Sequence, residues 1–234
     1  NLAQYPPYIQ ENQIRLFKAQ PAKTNIGDNA RSVGIDPESI DYIVASHAHW
    51  DHIYPVGSIF PNAKFICGPG SLAVAEKSWP AHLDSTFDGR IWDPQQAELP
   101  IDELPEPSAK PEVWKPIGPF QHGYDFFRDG SFWLINAPGH FPGNLAALVR
   151  TKNKDGNRRW VVLGGDCLHC YHLLHYPEAP FGGGLTVTKS GTFHEDGYGA
   201  REVIRNIADL RNAYSGELFV WPAHVDSLEG HWEF

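Results

Sequence analysis

Three imidazoles and one carboxylate fall within six consecutive residues, His47-Ala48-His49-Trp50-Asp51-His52. His47 and His49 are two positions apart just after the apolar run Tyr42–Ala45, so in extended chain their rings point the same way. Asp51 and His52 follow where the chain should turn. The segment thus offers four ligand atoms, two for each of two adjacent metals, of the types expected around a hydrolytic zinc pair. Packing does not account for such a cluster, because desolvating these groups without partners is costly.

Three later segments repeat the arrangement. Ala137-Pro138-Gly139-His140 follows an apolar run at Phe132–Asn136, Gly164-Gly165-Asp166 follows Trp160–Leu163, and Pro222-Ala223-His224 follows Leu218–Trp221. Each sets a ligand-type side chain just past a strand-like run, beside small residues that let backbones crowd together.

The elements that must position these groups are legible in outline. Helical patterns are expected around Glu11–Ala19, Gly70–Lys77 and Gly199–Tyr214, with a helical turn at Asn29–Val33. In the last helix Val203, Ile207 and Leu210 share one face, with Ile204 and Ala208 beside it. Strands are expected at Tyr42–Ala45, Lys64–Cys67, Gln121–Phe127, Phe132–Asn136, Leu145–Arg150, Arg159–Leu163 and Leu218–Trp221. Asp129-Gly130 marks one hairpin and Lys154-Asp155-Gly156-Asn157 another. Residues 94–119 hold seven prolines without clear periodicity and read as a loop or surface excursion. The expectation is a mixed α/β chain, a two-sheet core flanked by helices.

Composition excludes several functions. The net charge is −9, from 28 acidic and 19 basic residues. The basic residues are scattered, so nucleic acid is not an expected partner. No apolar stretch approaches the roughly 18 residues of a membrane span. Cys167 and Cys170 form a lone CxxC and Cys67 stands apart, so neither a disulfide framework nor a structural zinc knuckle is expected. All three thiols read as buried groups. The chain contains no Met, which points to an incomplete start. The absence of a visible sorting signal and the scarcity of cysteine lean towards a cytoplasmic location.

The order HxHxDH, then GH, then GGD, then AH near the end resembles the metallo-β-lactamase superfamily. The similarity is to its lactonase-like branch, which includes N-acyl-homoserine lactonases and fungal hydrolases, and runs from about Asp36 to Asp226. It implies one domain over residues 1–234, an αββα sandwich apparently lacking its first strand or strands, with the metals along one edge. It also implies two Zn2+ per chain: His47, His49 and His140 on the first, Asp51, His52 and His224 on the second, and Asp166 bridging. The implied reaction is the opening of a cyclic ester or amide by a metal-bridging hydroxide, lactone first and lactam second. Asp51 would pass the proton. The lactonases carry a tyrosine three residues after the bridging aspartate; here the position is His169, a candidate donor to the oxyanion. Trp50, Tyr54, Trp79, Tyr171 and Phe181 are candidates for an apolar substrate pocket. The expected partner is a small molecule, and a homo-oligomer is left open. Two other readings share the ligand set: a thioester hydrolase of the glyoxalase II type, and a non-catalytic metal-binding member.

Overall fold

A computed structural model describes residues 2–185 and 188–225; Asp226, the far end of the resemblance, lies outside the described residues. The chain forms two compact units, Asn1–Leu104 and Pro105–Phe234.

The first unit is built on three parallel strands, β1 (Tyr42–Val44), β2 (Lys64–Cys67) and β3 (Ile101–Glu103), in that order across the sheet. Parallel neighbours need crossovers. Between β2 and β3 these include two short helices, α3 (Ser71–Val74) and α4 (Gly89–Trp92). Phe65 of β2 packs edge-on against Trp92 of α4, ring centroids 5.3 Å apart, in a core with Phe60, Ile66 and Ile91. The helical segment expected at Glu11–Ala19 is a π-helical stretch over Ile9–Ile14 followed by α1 (Arg15–Phe17), with α2 (Ile26–Ser32) next. The Arg90 guanidinium joins this start to the rest of the unit. It is paired with the buried Asp88 carboxylate at 2.6 Å and donates to the Gln4 carbonyl at 2.6 Å. A charge-assisted pair whose acid is buried holds more firmly than an exposed one.

The second unit carries six strands in chain order: β4 (Lys115–Ile117), β5 (Phe120–Asp125), β6 (Phe132–Asn136), β7 (Leu145–Lys152), β8 (Arg158–Gly165) and β9 (Leu218–Pro222). Neighbours are antiparallel except β8 and β9, which are parallel. That pair is bridged by a 3-10 turn, Tyr171–Leu174, and the long helix α5 (Gly197–Ala213). Asp196 caps α5, its carboxylate accepting from the Tyr198 amide at 2.9 Å. The apolar face of α5, Val203, Ile204, Ile207, Ala208 and Leu210, is buried against Ile135, Leu148, Val162 and Val220 of the sheet. At roughly 1.5–3 kcal/mol for each large side chain fully removed from water, this face is what keeps α5 on the sheet.

Two expectations are corrected. The segment 94–119 is not loop throughout: β3 and β4 both lie in it. Each is three residues long, and prolines at 100, 105, 111 and 116 hide any alternation. Cys67 and Cys167 are buried as expected, but Cys170 is exposed. Among the described residues no helix is long and apolar enough to cross a membrane.

Candidate metal centre

In the first unit, strand pairing runs on past β1, the Ala45 amide donating to the Ile66 carbonyl at 3.0 Å, and delivers the chain straight into the histidine cluster. The turn forms where the His52 amide meets the His49 carbonyl at 3.1 Å. His47 is buried, 1% exposed. Its Nδ1 shares a hydrogen bond with the Ser46 hydroxyl at 3.1 Å, which fixes the ring and leaves Nε2 facing His49 Nδ1 at 3.0 Å. The ring of His52 lies 4.2 Å from that of His47, and its Nε2 is 3.8 Å from the Asp51 carboxylate. All four motif residues therefore sit together within the unit. Trp50 packs edge-on against Tyr5 at 5.6 Å, and Tyr54 lines a narrow crevice with Val56, Arg90 and Leu99. Tyr5 was not legible as a site neighbour, since the proline-rich start offers no pattern. Burial, and then the nearby Asp51 and Tyr54, push its hydroxyl up to about 12, so it stays protonated.

In the second unit, β6 ends in the Pro138–His140 turn. Gly139 there has φ +126°, and a Cβ on it would stand 2.1 Å from the Ala200 backbone nitrogen of α5. Only glycine lets the turn and helix approach this closely. The Glu195 and Asp196 amides donate to the His140 and Gly139 carbonyls at 3.0 and 2.8 Å, so the lead into α5 also holds the turn. Asn144, fully buried, donates its amide to the Ala137 carbonyl at 2.8 Å and to Cys167 Sγ at 3.3 Å. It thereby ties the His140 loop to the Asp166 loop. At the end of β9, the Ala223 amide donates to the Gly165 carbonyl at 2.8 Å, and His224 adopts φ 58°.

These loops converge on one carboxylate. Asp166 Oδ2 lies 3.4 Å from His140 Nε2 and 3.1 Å from His169 Nε2, while Oδ1 lies 3.5 Å from His224 Nε2. Asp166 and His140 are 4% and 3% exposed. The two oxygens of this carboxylate thus face different imidazoles. Imidazole and carboxylate are donors that zinc accepts, so the residues of both units fit such ions. His169 is stacked between Phe193 at 5.0 Å and the ring of His224 at 6.0 Å.

Tyr171 lies at the edge of the second unit's core, against His175 and under the Arg211 guanidinium 5.9 Å away. Phe181 lies beside a histidine that spacing did not single out, His194, at 4.6 Å. Trp79, in the first unit, is placed under Arg90 at 5.3 Å. His194 is 2% exposed, with its ring 5.4 Å from those of both His140 and His169. Burial, then the neighbouring His169, lowers its pKa to about 4. It stands alone in the sequence after a glycine-rich stretch, so no spacing could have marked it. The Cys167 thiol is pushed up to about 12 by burial; it serves as an acceptor for Asn144.

Comparison with known proteins places the chain. Residues 10–155 match the Metallo-beta-lactamase superfamily. The gamma-lactamase FDB1 of Fusarium pseudograminearum is 32% identical over 68% of this chain and 36% of its own length. The N-acyl homoserine lactonase AttM of Agrobacterium fabrum is 30% identical over 69% of this chain and 53% of its own. The chain thus spans about a third to a half of these relatives. Among solved structures, a quorum-quenching N-acyl homoserine lactone hydrolase aligns with a TM-score of 0.57 at 16% identity, over 89% of this chain and 67% of that one. The AiiA protein of B. thuringiensis, with N-decanoyl-L-homoserine bound at its active site, aligns with a TM-score of 0.54 at 18% identity, over 84% and 61%. At such identities the alignments speak for the fold.

Proposed function

From the premise that this chain belongs to the metallo-β-lactamase superfamily, we propose that it is a dinuclear zinc hydrolase that opens a lactone ring. Relatives named as a gamma-lactamase and as an N-acyl homoserine lactonase support hydrolysis of a small molecule. His47, His49 and His140 are the proposed donors to one ion, and Asp51, His52 and His224 to the other. Asp166 is the donor common to both. The observation that carries the reading is the carboxylate of Asp166, with one oxygen turned to His140 and the other to His224.

Bound zinc supplies activated water and a Lewis acid for the scissile carbonyl. The chain's own groups do the rest. Ser46 meets Nδ1 of the His47 ring, so Nε2, which faces His49, is the nitrogen assigned to the ion. Asn144 bonds the loop before His140 and the residue after Asp166, the preorganisation that an electrostatic site requires. Asp51, 33% exposed at its side chain, is the group with access to both solvent and the histidine cluster, and is assigned the proton. His169, stacked on Phe193 and anchored to Asp166, is assigned the hydrogen bond to the substrate carbonyl.

A lactam is the second reading, supported by two relatives named gamma-lactamases, 32% and 28% identical. Turnover of matched γ-lactones and γ-lactams by zinc-loaded protein separates the two, and kcat/KM is expected to be higher on the lactone. A chain that carries two zinc equivalents and turns over no ester, thioester or amide sinks the hydrolase reading.

A further inference from the structure

His140, His169 and His194 each offer a ring nitrogen, and these three nitrogens lie within 4.8 Å of one another, all inside the second unit. A point between nitrogens so spaced is within about 2.8 Å of each, against the roughly 2.0–2.1 Å of a metal–imidazole bond, a gap that small ring rotations close. His194 is 2% exposed and its Nδ1 makes no hydrogen bond, an arrangement that costs free energy in a dry interior unless the nitrogen meets a Lewis acid or donor. Neither the family's ligand order nor any spacing in the sequence assigns it a task.

We propose that His140, His169 and His194 form a tri-imidazole site for a borderline divalent cation such as Cu2+ or Ni2+, one that overlaps the mixed imidazole and carboxylate set proposed for hydrolysis at His140 and adds His194 to it. A set made mainly of imidazole nitrogens favours such ions over Mg2+ and Ca2+, which require a shell of oxygen donors. The surroundings favour binding. Phe193 stacks on His169 at 5.0 Å and Phe181 lies 4.6 Å from His194, so two aromatic rings wall the imidazoles. The Ser190 and Thr192 hydroxyls both donate to the His194 carbonyl and fix its backbone. Asp166, 3.1 Å from His169, supplies nearby negative charge. The opposing charge is Arg201, which lies over Phe181 at 3.9 Å and donates to the Pro177 and Ala179 carbonyls.

The site rests on the placement of these three residues and not on the hydrolytic reading, although it shares His140 and His169 with that reading. The test therefore uses the full chain carrying His47→Ala, His49→Ala, His52→Ala and His224→Ala, which removes the other imidazoles assigned to ions and leaves the three intact. Titration with Cu2+, followed by electron paramagnetic resonance, is expected to show one ion per chain with three equatorial imidazole nitrogens. Adding His194→Ala should remove one nitrogen from the spectrum and weaken binding at least about tenfold. His194→Gln, which keeps the volume, gives the same reading should the alanine variant fail to fold. An unchanged nitrogen count and affinity in the folded His194 variant would overturn the site, whatever the hydrolysis assays show.

Discussion

At Asp166 each carboxylate oxygen faces a different imidazole, and the residue is 4% exposed. A buried carboxylate surrounded by three histidines is costly to maintain unless its charge is used. Asp166→Ala is expected to reduce bound zinc from two equivalents to one or fewer and to weaken the remaining binding about a hundredfold, read by metal analysis after dialysis. Retention of two tightly held ions would refute the bridging assignment. His169 differs in kind, because its role in hydrolysis is assigned to the reacting carbonyl. His169→Phe keeps a ring to stack on Phe193 and removes the donor. The expected result is a loss of about 10²-fold in kcat with KM nearly unchanged. A rise in KM alone would make His169 a wall of the pocket.

At the scale of elements, the junction between the β6 end and α5 is where local backbone governs the site. Gly139→Ala would drive a methyl into the Ala200 backbone while holding an L-residue at φ +126°. Neither neighbour is a flexible side chain, so the turn or the helix must move. The expected cost is about 3 kcal/mol or more in denaturant unfolding, with loss of metal at His140. A loss under about 1 kcal/mol would mean that turn and helix separate easily. This junction also shows what the sequence could and could not disclose. The strand ends that present His47, His140, Asp166 and His224 were readable because apolar runs stop where ligand-type residues begin. The α5 face was readable because Val203, Ile204, Ile207 and Leu210 recur at helical spacing. β3 and β4 were hidden, since three residues beside or containing a proline carry no alternation and are held by pairing with β2 and β5. His194 was invisible for a related reason. Its neighbours His140 and His169 lie 54 and 25 positions earlier in the chain, so only folding brings the three together.

For the molecule as a whole, the decisive question is whether ions are shared by its two units, because the proposed ligand sets draw on both. The HxHxDH donors belong to the first unit and the Asp166 group to the second. Ions held jointly stabilise the folded chain over every state in which either unit is open, by about 4 kcal/mol at a thousandfold excess of free metal over its Kd. For a chain of this length that corresponds to roughly 8–16 °C in Tm. Calorimetry is therefore expected to show a single transition in zinc. Chelation should lower it by an amount in that range, and returning Zn2+, but not Mg2+, should restore it. The −9 net charge works in the same direction, since two divalent cations relieve part of the acidic self-repulsion in the folded state alone. Magnesium would relieve a purely electrostatic strain as well as zinc does, so the contrast between the two ions isolates coordination. A melting curve indifferent to chelator would mean that no ion is held jointly by the two units, and the dinuclear reading would fall with it.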